Sequence, residues 1–311
     1  MFCSTIIPTI GRSTLSQAVC SVLEQDFDPA RFEVIVVNDS GRTLPEMEWQ
    51  NAPQVRIIQT NHRERSVARN TGASIARGKY LNFLDDDDYI LPGALKTFWR
   101  LAETRRAPWL YGGYRLVDTS GNLQEECHPN ESGNCFVRFI AGEWLPLQAS
   151  LIEAKAFFSI EGFASLETLL GGDEDVDLSR QFSLRYDIAG TYTTVAMIRV
   201  GLDASTTNFS NLHEQSLQSR EKALKKSGAF QRMRSSARAR EKKAAYWHGR
   251  ISWVYLASLV WNLQHRDPFT ATSRGIYAWL NFGLAARYYF SKGFWQGITR
   301  PHYSKGWLAS S

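Results

Sequence analysis

Four aspartates stand side by side at Asp85-Asp86-Asp87-Asp88, directly after the apolar run Tyr80-Leu81-Asn82-Phe83-Leu84. Like charges this close repel one another unless a cation is near. Hard carboxylate oxygens suit Mg²⁺ or Mn²⁺, and Mg²⁺ typically takes one or two carboxylates and completes its shell with substrate phosphate. On an extended segment Asp85 and Asp87 point the same way. The same run also reads as a solvated acidic turn leading into the next helix. A second acidic stretch, Glu174-Asp175-Val176-Asp177, reads by itself as a helix N-terminus that complements the macrodipole. Cys127, His128 and Cys135 lack a second Cys or His pair at zinc spacing, so they read as reduced thiols.

The elements that must position these residues alternate between strand and helix. Phe2–Ile7 is an apolar strand, and Ser13 can cap a helix carrying Leu15, Ala18, Val19, Val22 and Leu23 at helical spacing. Glu33–Val37 is a β-branched run of the kind buried on both faces, ending in the loop signal Asn38-Asp39-Ser40-Gly41. Val55–Gln59 and Tyr80–Leu84 are further strands; Ser66–Ala76 and Gly93–Ala102 are helices, the latter opened by Pro92. From Trp109 the pattern becomes mixed β: Trp109–Val117, a turn at Asp118–Gly121, a return strand, then Leu147–Ile152. Alternation of this kind gives a doubly wound sheet with ligands outside the carboxyl ends of its strands. Pro8-Thr9, Asp39 and Asp85–Asp88 each follow a strand, so three segments converge on one sheet edge.

The 311 residues, 43% hydrophobic and 22% charged, suit a catalytic domain plus a smaller appendage. The N-terminus has no basic, apolar leader pattern, and the longest uncharged stretch, Ile251 to His265, is short of the ~20 residues of a spanning helix. The expectation is a cytoplasmic protein, peripheral at most on the inner membrane face. The net charge of +5 is uneven: between Gln218 and Lys243 ten Lys and Arg face two Glu, leaving +8 there and −3 elsewhere. Residues 246–307 carry six of the ten tryptophans. Basic residues next to interfacial aromatics point to an anionic membrane surface, and a helical cap on the catalytic domain is the alternative. Nucleic acid is not the expected partner.

Five motifs occur in order: Ile6-Ile7-Pro8-Thr9, Val36-Val37-Asn38-Asp39-Ser40, Val67-Ala68-Arg69-Asn70-Thr71-Gly72, Phe83-Leu84-Asp85-Asp86-Asp87-Asp88-Tyr89, and Gly162-Phe163 followed by Glu174-Asp175-Val176-Asp177-Leu178. Together they resemble the family 2 glycosyltransferases, inverting enzymes of the GT-A fold, over roughly residues 2–200. The resemblance implies an α/β GT-A-type doubly wound mixed sheet within 1–210, with a nucleotide-sugar half (1–105), an acceptor half (106–210) and a helical, aromatic-rich extension (211–311). It implies that Pro8, Thr9 and Arg12 line the nucleotide pocket and that Asp39 accepts from the base edge. Arg69 would pair with diphosphate or base, Asp85 and Asp86 would serve the donor, and Asp87 would hold Mg²⁺ or Mn²⁺. Asp175, with Glu174 beside it, would be the general base for a single displacement. A late histidine sits on the metal in some GT-A enzymes, which makes His213 a candidate ligand beside its plainer structural reading.

The chain departs from the family pattern at Ile10-Gly11, where Tyr-Asn is common, so no aromatic there stacks on the base. Asn61–Arg65 is more charged than usual and reads equally as a phosphate contact or a solvated loop. Trp144 reads as an acceptor-stacking or a core residue. After Gln181 the arginine is Arg185, one residue too far for the processive Gln-x-x-Arg-Trp signature, so transfer of a single sugar is expected. The implied partners are a nucleotide sugar, a UDP-sugar first among them, and a saccharide or lipid-linked saccharide acceptor. A nucleotidyltransferase and a catalytically silent nucleotide-sugar binder are the rival readings.

Overall fold

The computed structural model describes the chain apart from residues 61–63, 129–130, 144, 166–173, 201–210, 240 and 300–311. The side chains of 211–213, 215, 239, 241 and 242 also lie outside the described residues. The expectations for Asn61, His62, Arg63, Trp144 and the His213 side chain therefore fall outside them.

The first strands are the β-branched, apolar runs read from the sequence: β1 (Cys3–Thr9), β2 (Phe32–Asn38), β3 (Val55–Gln59) and β4 (Tyr80–Phe83). They pair in parallel in the order β3-β2-β1-β4, with α1 (Leu15–Leu23) between β1 and β2 and α2 (Arg65–Ser74) between β3 and β4; α3 (Ala94–Thr104) follows them. α1 begins after Thr14, which makes no side-chain cap, so Ser13 is not the capping residue. β2 is buried throughout, and its period of two divides it between two cores. Val34 and Val36 pack with Leu15, Val19 and Val22 of α1 on one side; Ile35 and Val37 pack with Ala68 and Ala73 of α2 on the other.

The sheet then becomes mixed. After the short β5 (Tyr89–Ile90) come β6 (Trp109–Val117), β7 (Leu123–Cys127), β8 (Ser150–Glu153) and β9 (Ile188–Arg199). Of the pairs these strands make, β6 and β9 are parallel and the others antiparallel. Among the described residues the strands form one nine-stranded mixed sheet, ordered β3-β2-β1-β4-β8-β6-β9-β5 with β7 on β6. Around this half lie α4 (Phe136–Ile140), α5 (Ala154–Ser159) and α6 (Glu174–Arg185).

The C-terminal helices α7 (Asn211–Leu224), α8 (Ala229–Ala239), α9 (Glu241–Gln264), α10 (Pro268–Ala285) and α11 (Lys292–Thr299) build a third core. It takes in Phe136, Val137, Ile140 and Ala141 from around α4, which ties the helical layer to the sheet. The aromatics divide: Trp247, Tyr255, Tyr288 and Phe294 are buried, whereas Phe269, Trp279, Phe290 and Trp295 are exposed. Among the described residues no helix is long and apolar enough to cross a membrane.

Gly72 lets α2 lie against β1. A Cβ at this position would stand 2.5 Å from Ile6 Cγ2 and 2.9 Å from Val37 Cγ2. Alanine would add about 1 kcal/mol of helix propensity, but overpacking of this kind costs about 1–3 kcal/mol. Gly72→Ala is therefore expected to lose up to about 2 kcal/mol in urea unfolding. A raised midpoint would mean that the helix stands farther from the strand than described.

Candidate functional site

The carboxyl ends of β1, β2 and β4 meet at a cleft of about 240 Å³ lined by Pro8, Thr9, Ile10, Arg12, Asp39, Arg65, Ala68, Asp85, Asp86 and Asp87. It brings together seven of the residues picked out from the sequence: Pro8, Thr9, Arg12, Asp39, Asp85, Asp86 and Asp87. Asp39 is buried, its backbone N–H donates to Thr9 O (2.8 Å), and its Oδ1 accepts from Thr60 Oγ1 (2.5 Å).

The run is not extended as the sequence suggested: β4 ends at Phe83, and the Asp88 N–H donates to Asp85 O (3.1 Å), closing a turn that leaves Asp85 and Asp87 half-buried and Asp86 and Asp88 buried. Asp85 accepts from Arg69 Nη2 (2.5 Å) and Gln148 Nε2 (2.9 Å). Asp86 is turned inward and accepts from Thr9 Oγ1 (2.5 Å) and Arg12 Nη1 (2.7 Å). Asp88 accepts from the Arg199 backbone N–H (2.7 Å) and from Gln148 Nε2 (2.7 Å). Asp87, its side chain 39% exposed, has the looser hold, with Arg12 Nη1 at 3.2 Å. The Arg199 guanidinium in turn grips the Asp87 carbonyl and Gln17.

Burial first, then the charge of Asp85, pushes the Asp87 carboxyl above its ordinary value, with Arg12 opposing. Burial and Asp85 push Asp88 well above its own, against the donors Arg199 and Gln148. A cation beside Asp87 would relieve the crowding. Among the described residues no cluster of three or more His, Cys, Asp or Glu could hold a metal by itself. The donor set fits an ion with one or two protein carboxylates and phosphate or water for the rest.

Arg65 and Arg69, one turn apart on α2, share the carboxylate of Glu174 at the start of α6. Arg65 Nε lies 2.5 Å and Arg69 Nη1 2.9 Å from Glu174 Oε1. Burial alone would lower the Arg69 guanidinium, but Asp85 and Glu174, with Asp175 behind them, hold it above its ordinary value. Glu174 is buried, and neither it nor its neighbour Asp175 is in the wall of the cleft. Asp175 is half-buried, and its Oδ1 accepts from the Val176 N–H (2.8 Å). Asn70 donates to Phe163 O (2.8 Å) and accepts from its N–H (3.0 Å), which joins two of the sequence motifs. Gln148, Arg199 and the Arg65–Glu174 pair were not legible in the sequence: none sits in a periodic pattern, and each finds its partner 63 to 112 residues away.

A raised carboxyl pKa means that the folded cleft favours protonated Asp87, so ionisation costs stability as pH rises through that value. Asp87→Asn is expected to gain on wild type as pH rises from about 4, with little further change below about pH 3, where wild type is protonated both folded and unfolded. Urea unfolding across that range checks this; a difference flat from pH 4 to 7 would mean that Arg12 cancels the crowding.

The pattern of "Glycosyl transferase family 2" matches residues 4–148. Over 130 residues the chain is 32% identical to the Campylobacter jejuni GalNAc(5)-diNAcBac-PP-undecaprenol beta-1,3-glucosyltransferase, covering 40% of this chain and 41% of that one. Over 117 residues it is 28% identical to the Staphylococcus aureus poly(ribitol-phosphate) beta-N-acetylglucosaminyltransferase TarP, covering 36% of each. The chain thus spans about two fifths of the length of these curated relatives. The crystal structure of S. aureus TarS 1–349 in complex with UDP-GlcNAc superposes with a TM-score of 0.62 over 93% of both chains, at 16% identity, a likeness of fold. The segment 4–148 thus carries the glycosyl transferase family 2 pattern, within a mixed sheet and a helical C-terminal layer that are similar in fold to TarS.

Proposed function

We propose that the chain transfers a single sugar, with inversion, from a nucleotide-diphospho-sugar to an acceptor hydroxyl in polysaccharide or glycolipid assembly. The observation that carries this reading is the convergence of Pro8, Thr9, Arg12, Asp39 and Asp85–Asp87 on one cleft, with Asp175 tethered beside it through Glu174, Arg65 and Arg69. The UDP-GlcNAc held by TarS supports a nucleotide sugar, with a UDP-sugar the first candidate. The relatives named for poly(ribitol-phosphate) and PP-undecaprenol support a saccharide or lipid-linked saccharide acceptor.

In this reading Asp39 and Thr9 border the nucleoside, and Arg12 and Arg65 face the diphosphate. Asp175 takes the acceptor's hydroxyl proton as that oxygen bonds to the anomeric carbon. The anomeric C–O bond to the diphosphate breaks, and its electron pair leaves with the phosphate oxygen. Asp87, with Asp85 beside it and His213 as a further candidate, would hold Mg²⁺ or Mn²⁺. Such an ion, when bound, supplies positive charge against the negative charge developing on the leaving group.

Release of nucleoside diphosphate across a panel of nucleotide sugars, with and without Mg²⁺ or Mn²⁺, tests the reading. Wild type should turn over one donor in a metal-dependent way, and Asp175→Asn should keep donor affinity while losing about 10²–10⁴-fold in rate. Turnover of Asp175→Asn within about threefold of wild type would move the base elsewhere.

The C-terminal layer is proposed to rest on an anionic bilayer. Phe269, Ile276 and Leu280 on one side of α10 wall a groove of about 860 Å³ that Lys225 and Lys226, in the turn after α7, and Phe230 of α8 close. Trp279 is 80% and Phe269 88% exposed, so a wet apolar face lies next to cationic side chains. Aromatic rings favour the interface, and each nearby basic residue adds roughly 1 kcal/mol on anionic lipid. The chain is expected to sediment with anionic vesicles at low salt and to be released by high salt or by Lys225→Glu/Lys226→Glu. Equal sedimentation with neutral vesicles, or none with anionic ones, would sink the idea.

A further inference from the structure

Arg220 on α7 is 3% exposed, and its Nε and Nη1 are buried with no hydrogen-bond partner. Its charged neighbours include Arg180 and Arg250, both buried. Arg180 donates to Phe139 O and to the carbonyl and hydroxyl oxygens of Ser216. Arg250 donates to Glu143 Oε1 (2.8 Å). The nearby carboxylates are committed elsewhere, Glu143 to Arg138 and Arg250 and Glu221 to Arg274. Burial first, then Arg180, pushes the Arg220 guanidinium down to about 9, which leaves it a cation at neutral pH.

The face opposite Arg220 offers donors. The Tyr255 ring lies 5.7 Å from the guanidinium carbon, and its buried hydroxyl also has no partner. Gly142, at φ +94°, closes the other side: a Cβ there would stand 3.4 Å from Arg220 Nη2 and 3.6 Å from Arg250 Nη2. Two guanidinium ends thus meet beside the Gly142 backbone. Removing one partner of a buried charge is strongly destabilising, and a guanidinium whose neighbouring carboxylates are bonded to other arginines is close to that condition. The unpartnered guanidinium nitrogens and the unpartnered hydroxyl together match one class of ligand, a tetrahedral oxoanion that accepts from both.

We propose that Arg220, Tyr255 and Arg250 form a binding site for a phosphate group. Two links tie the site to the residues of the proposed transfer. Ser219, next to Arg220, donates to Asp177 Oδ1 (2.5 Å), two residues beyond Asp175 on α6. From Gly142 the chain runs to Gln148, which is bonded to Asp85 and Asp88. Resting on the glycosyl-transfer reading, the phosphate belongs to the acceptor, held so that its hydroxyl reaches Asp175; free inorganic phosphate is the other source.

Calorimetry and thermal unfolding of the full chain with inorganic phosphate, with a glyceryl phosphodiester and with UDP test the site. Wild type should bind the diester, and Arg220→Met should lose at least tenfold in that affinity while its UDP affinity stays within twofold. Without anion Arg220→Met should be at least as stable as wild type, and saturating diester should reverse the order. Arg220→Lys, which keeps the charge but not the fork, should fall between the two. The site is overturned if both proteins respond equally to phosphate and diester, or if Arg220→Met unfolds earlier without anion and responds like wild type. Response to inorganic phosphate alone overturns the acceptor assignment. Loss of UDP binding by wild type would count against the glycosyl-transfer reading and leave the phosphate site standing.

Discussion

Carboxylates on four successive residues must be held against their own repulsion. At about 6 Å and an effective dielectric near 20, each close pair costs about 3 kcal/mol. The chain offsets this by giving each aspartate a different set of donors, with Gln148 and Arg12 each shared by two of them. Asp86 turns inward to Thr9 and Arg12, Asp88 to Gln148 and the Arg199 N–H, and Asp85 is shared by Arg69 and Gln148. Asp87 remains with the loosest partner and the most water, so the compensation itself selects which carboxylate faces a ligand. The donors come from β1, α2, β9 and the turn before β8. The sheet order, with β4 beside both β1 and β8, is what brings those ends together.

The sequence of the N-terminal half made this geometry readable because burial and period act together there. Glu33–Val37 could only be a strand covered on both faces, and a run of aspartates at the end of such a strand has one edge of the sheet to occupy. What could not be read were side chains whose meaning depends on distant partners. Gln148 looks like any polar residue at a strand start, yet its amide bridges two carboxylates 60 and 63 residues away. Glu174 looks like part of a macrodipole-complementing acidic start, and it also neutralises two arginines of α2.

The basic segment shows the opposite failure of local reading. Its +8 charge suggests one solvated face, but the helices distribute it. Arg220 turns into the interior, and Arg232 donates to Ser183, Tyr186 and Asp187 at the end of α6. Lys222, Lys225, Lys226, Arg234 and Arg238 remain exposed. Helical period separates these sets, and without the positions of α6 and α9 the period alone does not say which side is inside.

The bridge from α2 to α6 through Arg65, Arg69 and Glu174 spans more than 100 residues of sequence. Contacts of such separation close late in folding, because the loop between them must be ordered before they return any free energy. During synthesis β1 to β4 can form while Glu174 has not yet been made. In that interval Arg69 has only Asp85 to neutralise it, and the aspartate run lacks Gln148. The nascent half-sheet would therefore carry an open, ill-compensated rim, and assembly of the second half closes it.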